Sequence, residues 1–192
     1  MSYKPWYYGI AFVVIISLIF LIQMKKKPVL PVIGEIPSFH LVDQNDDTFT
    51  LQKMEGKVWL ADFIFTTCAG PCPIMTERMK IVQKDFKDYE DMRFVSFTVN
   101  PDYDTPEILS DYADRNRIDT STWSFVTGNY DDIQSLVGEG FKMGDVEEIV
   151  FHSTQFALVD DKGIVRGYYS GTEPSEHKLL KRDIKYLLKQ IN

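Results

Sequence analysis

Cysteine is scarce in this chain: Cys68 and Cys72 are the only two in 192 residues. A disulfide framework of the kind that props up small secreted domains is therefore excluded, and roughly 165 residues after the N-terminal segment are ample to bury a core without one. A glycine-rich phosphate loop and a serine on a tight nucleophile turn are also missing, so nucleotide-binding and hydrolase readings have nothing to rest on. There is no internal repeat and no low-complexity tract. Basic residues run short after Lys27: all 28 Asp+Glu but only 17 of the 21 Lys+Arg follow it, a net −11 for that part. Such a surface argues against nucleic acid as a partner. It keeps a domain soluble and would steer a cationic partner or metal carrier. The acidic pairs Asp46-Asp47, Asp131-Asp132 and Asp160-Asp161 fall at turns and helix starts, where they read as turn and cap chemistry.

Long apolar runs are absent but for one, Tyr7 to Ile22, opened by Trp6, Tyr7 and Tyr8 and followed by Lys25-Lys26-Lys27. An aromatic belt on one side and a basic flank on the other read as a single transmembrane helix. The run is slightly short of the roughly 20 residues a bilayer core needs, and Met24 with the flanking aromatics extends it. No small-x-small cleavage site follows, so an uncleaved anchor is expected rather than a signal peptide. The expected organisation is residues 1–27 as anchor with its basic flank, 28–37 as a linker carrying Pro28, Pro31, Gly34 and Pro37, and 38–192 as one domain.

Within that domain Phe39, Leu41, Phe49 and Leu51 alternate around Asp43–Asp47, a hairpin signal. Arg93–Val99 reads as a strand, and Asp104-Thr105-Pro106-Glu107 starts a helix, with Thr105 or Asp104 as N-cap and a stripe of Ile108, Leu109, Tyr112 and Ala113. Trp123–Thr127 is a short strand and 129–138 a short helix. Strands Gln155–Val159 and Ile164–Tyr169 flank the turn Asp160-Asp161-Lys162-Gly163. A last helix from about Ser175 to Ile191 buries Leu179, Leu180, Ile184, Leu187, Leu188 and Ile191. Alternating strands and helices closed by a hairpin and a helix predict an α/β fold, a mixed sheet covered on both faces.

The thiols sit in Thr66-Thr67-Cys68-Ala69-Gly70-Pro71-Cys72-Pro73, between the buried strand Val58–Phe65 and a helix marked by Met75, Met79, Val82 and Phe86. Open α/β sheets place their chemistry at such a junction, and a helix N-terminus lowers a thiol pKa because its free N–H groups favour the thiolate. Four-residue spacing on a helix would put both thiols on one face, with Cβ atoms about 5–6 Å apart. That span suits a disulfide, and it suits two thiolates on one ion equally well. A structural disulfide gains little from so short a loop; redox dithiol and metal site both stay open. Of the three histidines, His40 and His177 read as surface residues. His152 precedes a strand whose start neighbours the end of the Cys strand, and two thiolates with one imidazole suit copper in either oxidation state.

The Cys68–Cys72 pair followed by Pro73, the segment from Val99-Asn100-Pro101 to Pro106, Trp123-Ser124-Phe125-Val126-Thr127-Gly128, and His152 before a Leu-Val-Asp-x-x-Gly hairpin come in the order found in Sco/SenC proteins. The chain resembles that family over roughly residues 35–190. The resemblance implies a thioredoxin-like fold on an N-terminal membrane anchor and one copper per chain held by Cys68, Cys72 and His152. It implies a role in assembling the dinuclear copper centre of cytochrome c oxidase, as metallochaperone, as thiol reductant through the redox-active pair Cys68 and Cys72, or both. The implied partners are the copper-bearing oxidase subunit or another copper chaperone. The soluble domain would then face the periplasm, cell envelope or mitochondrial intermembrane space, although a literal lysine count places it in the cytoplasm. The family usually has Asp where this chain has Asn100, and often Pro directly after the first cysteine, where this chain has Ala69. A thiol–disulfide oxidoreductase is the alternative, with Cys68 attacking and Cys72 resolving. Against it, the proline that thioredoxin-like redox enzymes carry before the strand equivalent to Gln155–Val159 is missing, since no proline lies between Pro106 and Pro174. A thiol peroxidase, with Arg78 beside the thiol, is a third reading suggested by Ile36-Pro37-Ser38-Phe39.

Overall fold

The computed structural model describes residues 6–24, 29–143 and 154–191. In chain order its elements are helix α1 (Trp6–Met24), strands β1 (Gly34–Glu35), β2 (His40–Asp43) and β3 (Thr48–Thr50), a 3₁₀ turn (Leu51–Met54), β4 (Val58–Ile64), α2 (Pro71–Asp85), β5 (Met92–Thr98), α3 (Pro106–Arg115), β6 (Trp123–Thr127), α4 (Tyr130–Ser135) running into a π-helical turn (Leu136–Gly140), β7 (Gln155–Val159), β8 (Ile164–Ser170), a second 3₁₀ turn (Pro174–Glu176) and α5 (His177–Ile191).

The strands form one mixed sheet in the order β1-β8-β7-β4-β5-β6-β2-β3. β4, β5 and β6 run parallel, joined by the crossovers α2 and α3, and β7 lies antiparallel to β4. Alternation along β4 divides the core. Val58, Leu60 and Ile64 pack with Met75, Met79, Val82 and Phe86 of α2, Leu109 and Tyr112 of α3 and Leu180, Ile184 and Leu187 of α5. Trp59, Ala61 and Phe63 face the other way, onto Ile36, Leu41, Phe97, Leu136, Val137 and Phe141. On that second side Phe141 is an aromatic hub, its ring 5.0 Å from Phe63 and 5.8 Å from Trp59, both edge-on. Each large apolar side chain so buried contributes about 1.5–3 kcal/mol.

Local chemistry sets the ends of these elements. Thr105, not Asp104, caps α3, its hydroxyl accepting from the Ile108 N–H. Asp160 holds the β7–β8 turn by accepting from the Lys162 and Ile164 N–H groups, and Gly163 takes the φ of +77° that the turn requires. Asp160 also pairs with Arg166 at 2.7 Å, and Arg166 donates to the carbonyls of Leu30 and Pro31. With β1 paired to β8 and Leu30 and Ile36 buried, residues 29–36 run along the sheet's edge.

Two expectations for α5 are corrected. His177 is buried rather than on the surface, and Leu179 is 43% exposed rather than in the stripe. The helix starts at His177, so the buried face runs 177, 180, 184, 187 and 188, and Leu179 falls about a quarter-turn off it. His40 is exposed as expected. The N-terminal apolar run is helical, and Tyr8 to Leu18 project outward with no core against them. Among the described residues no helix is long and apolar enough to cross a membrane.

One residue breaks the apolar pattern of β4. Asp62 shares a face with Leu60 and Ile64 and is fully buried. Its Oδ1 accepts from the Ser96 hydroxyl at 2.6 Å, and that hydroxyl accepts from the Trp123 indole N–H at 2.9 Å. Its Oδ2 has no hydrogen-bond partner. Burial pushes the carboxyl up to about 7, against a smaller downward pull from Ser96. Below an unfolded pKa of 3.8 the group is protonated in both states and costs nothing. The cost grows as pH rises toward 7 and is constant above it, at most about 4 kcal/mol for a three-unit rise. The Asp62→Asn variant carries a constant penalty for its unmatched amide but no titration. Its stability relative to wild type should therefore rise by up to about 4 kcal/mol between pH 4 and pH 8, measured by urea denaturation at both. A difference independent of pH would show that Asp62 ionises as freely folded as unfolded.

Candidate dithiol metal centre

The two loops that leave the C-terminal ends of β4 and β5 lie side by side, because those strands pair in parallel register from Val58↔Met92 to Ile64↔Thr98. The first carries the cysteines. Its turn is closed by the Cys68 N–H donating to the Phe65 carbonyl at 3.1 Å. Gly70 then precedes α2, and Pro71 opens the helix at a position whose N–H would be unpaired in any case. Cys72 therefore lies in the first turn of α2, while Cys68 sits in the loop before it. This corrects the expectation that both thiols share one helical face: Pro71 starts the helix three residues after Cys68, and the loop fold brings the two sulfurs together. They are free thiols, Cys68 half-buried and Cys72 buried, in hydrogen-bond contact with each other.

The expected lowering of the thiol pKa by the helix N-terminus does not occur at Cys72. Burial pushes its thiol up to about 12, and the hydrogen bond that this thiol donates to the Cys68 sulfur adds to this. A backbone N–H of Phe65 pulls downward, and the charges of Cys68 and Asp62 push up again. The magnitudes decide the outcome: a helix terminus offers about 0.3–1 kcal/mol, up to about 2 when partly buried, whereas a three-unit rise corresponds to about 4 kcal/mol. Asp62 also bears on Tyr112, whose phenol burial pushes up to about 12 and whose hydroxyl meets Thr76 at 2.8 Å. A set of buried polar groups, Asp62, Ser96, Thr76 and Tyr112, thus lies on the same core face as Cys72.

The second loop, 99–105, is tied to the first by Asp104. This fully buried carboxylate accepts from the Thr66 N–H at 3.1 Å, from the Thr66 hydroxyl, and from the Thr98 hydroxyl at 2.5 Å. Thr98 in turn accepts from the Asn100 N–H at 3.0 Å. Sequence reasoning considered Asp104 only as a helix cap and missed Asp62. The available signal for Asp62 was a lone carboxyl inside the apolar run of β4, where a polar residue is the informative one.

Among the described residues no cluster of three or more His, Cys, Asp or Glu could hold a metal ion. Cys68 and Cys72 supply two soft donors of the kind that Cu(I) and other thiophilic ions take. His152 lies outside the described residues. β7, which follows it in sequence, pairs antiparallel with β4 through Ala61↔Ala157, so the β7 start lies beside the β4 end that carries the cysteine loop. The Arg78 charge acts on His177. His177 has a buried Nε2 without a hydrogen-bond partner and a lowered pKa, caused first by burial and then by Arg78 and Lys181.

Comparison with known proteins supports one grouping. The SCO1/SenC family model matches residues 33–189. The SCO1 protein homolog of Bacillus subtilis strain 168 is 34% identical over 161 residues, 81% of this chain and 83% of its own length. A Stutzerimonas stutzeri protein named for copper binding is 32% identical over 77% of this chain and 75% of its own length. The crystal structure of a SCO1/SenC family lipoprotein from Bacillus anthracis str. Ames superimposes with a TM-score of 0.72 at 35% identity, covering 80% of this chain and 95% of that one. BsSco, a member of the Sco family of cytochrome c oxidase assembly proteins studied for its disulfide switch, superimposes with a TM-score of 0.76 at 32% identity over 85% of this chain and 99% of its own. The thioredoxin-like fold agrees with these relatives along nearly the whole domain, and the chain belongs to the SCO1/SenC family.

Proposed function

We propose that this protein is a membrane-tethered copper metallochaperone that delivers copper to the dinuclear copper centre of cytochrome c oxidase, or reduces that centre's cysteines, during assembly. The observation that carries the reading is the pair of free, touching thiols, one reachable from solvent, at the mouth of the β4–β5 edge in a member of this family. Cys68 and Cys72 would hold one copper per chain with His152 as third ligand, and ligand exchange would pass the ion to a thiol-rich partner. Oxidation of the pair to a disulfide, with loss of two protons and two electrons, turns ion binding off, because a disulfide sulfur is a poor ligand. The same electrons, passed to a cystine on the target, would reduce it. Exposure favours Cys68 as attacking and Cys72 as resolving sulfur for that alternative.

The tether is read from the sequence, where the charge-free apolar run Tyr7 to Ile22 follows Trp6 and precedes Lys25-Lys26-Lys27; the described side chains from Tyr8 to Leu18 are exposed. The soluble domain would lie on the non-cytoplasmic side, as one relative's description as a lipoprotein and another's as mitochondrial suggest.

An anaerobic titration of the reduced full-length chain should bind one Cu(I), and oxidation should produce thiolate-to-Cu(II) charge-transfer absorption that His152→Ala markedly reduces. Weak binding indifferent to His152→Ala would leave only a dithiol for electron exchange. Because the Cys72 thiol keeps its proton to about pH 12, copper must displace it. Apparent Cu(I) affinity should therefore rise at least about tenfold per pH unit between pH 6 and 8, and a flat profile in chelator competition would deny Cys72 a ligand role. Asn100→Asp would place a second carboxylate beside the Thr98–Asp104 link. It should lower the copper reduction potential, since added negative charge favours Cu(II); affinity and potential both unchanged would remove any tuning role for this position.

A further inference from the structure

We infer that Asp104 is the positioning residue of the dithiol, holding Cys68 in its binding geometry through Thr66. The inference rests on the proposed copper role of the pair, but its geometry does not. Asp104 is fully buried, and among the described residues no Lys, Arg or His forms an ion pair with it. A carboxylate in that position is costly unless donors are aimed at it. Three are: the Thr66 N–H, the Thr66 hydroxyl and the Thr98 hydroxyl, against a group that accepts on both oxygens. Its own N–H donates to the Asn100 carbonyl at 2.9 Å, which closes the second loop beneath it.

Two of the three donors come from one residue, and that residue lies two positions before Cys68. The next bond along the chain is Cys68 N–H to Phe65 carbonyl. The turn carrying the reachable thiol is therefore held on one side by its own backbone and on the other by Asp104, with few other contacts, since Thr67, Ala69 and Gly70 are exposed. Thr98 fixes the far end of the link to β5, the strand in register with the cysteine strand. A threonine pair facing apolar neighbours would have closed the same gap without a buried charge. The carboxyl is retained where two loops must keep a fixed separation, and the residue it grips lies two positions before the proposed ligand Cys68.

The test compares Asp104→Asn, Thr66→Val and Thr66→Ser in the full-length chain, with three readouts: thermal midpoint, Cu(I) affinity by chelator competition, and the ratio of iodoacetamide alkylation rates at Cys68 and Cys72 mapped by peptide mass. Asp104→Asn puts an NH₂ against a donor of Thr66 or Thr98. It should weaken copper about 10–100-fold, the range found when groups orienting a ligand are changed, and shift the alkylation ratio. Thr66→Val should move both in the same direction by less, and Thr66→Ser, which keeps the hydroxyl, should restore wild-type values. A lower thermal midpoint with affinity and ratio unchanged would make Asp104 merely structural and overturn the inference. So would a Thr66→Val variant indistinguishable from wild type. If Asp104→Asn does not fold, the Thr66 pair decides. If the wild type itself binds no copper, the proposed function fails, and the alkylation ratio still tests the link.

Discussion

The parallel pairing of β4 with β5 is the constraint on which the site depends. Parallel strands release their chains at the same edge, so the loop after Ile64 and the loop after Thr98 emerge as neighbours with no further design. Everything placed at that edge inherits the register. The cysteines follow β4, Asp104 and Asn100 follow β5, and the antiparallel β7 brings its start to the same end. Two packed faces hold the register in place. A one-residue slip of β4 would turn Trp59 and Phe63 into the α2 layer and Leu60 and Ile64 out of it, at a cost far beyond any single polar contact.

Burial then dictates the chemistry of the two sulfurs. The same layer that fixes α2 removes Cys72 from water, and with it most of the benefit of a helix N-terminus. The result is asymmetric: one sulfur meets partners and the other keeps its proton until an ion or a disulfide bond replaces it. In the proposed copper role the exposed sulfur would start ligand exchange while the buried one keeps its proton. Asp62 adds to it. A carboxylate behind Cys72 opposes a second negative charge on that sulfur, and a positive ion between the sulfurs relieves the opposition.

Much of this was legible in the sequence because it is local. Strand–helix alternation, the Thr105-Pro106 helix start, the Asp160 turn and the Cys motif are each written in a few adjacent residues. The misread features depend on where an element begins or on distant segments. Whether Cys68 shares the helix of Cys72 is decided by where Gly70 and Pro71 let the helix begin. Whether His177 is inside depends on which face of α5 meets α2 and β8. Asp62 and Asp104 look alike in sequence, as acidic residues near element ends or within strands. Only the strand register shows that one meets a single serine and the other three donors.

That difference between the two aspartates carries the last step. Asp62, with one donor and an unpartnered oxygen, is held near neutrality and can be charged or uncharged in the physiological range. Asp104, with three donors, accepts on both oxygens and serves as a fixed anchor. Asn100, at the same edge, contributes an amide rather than a further carboxyl. The anchoring carboxyl lies behind the backbone of the cysteine loop, while Asp62 lies behind the buried sulfur. Near neutrality the carboxyl behind Cys72 titrates, so the opposition that this sulfur meets on losing its proton depends on the pH of the solution as well as on burial.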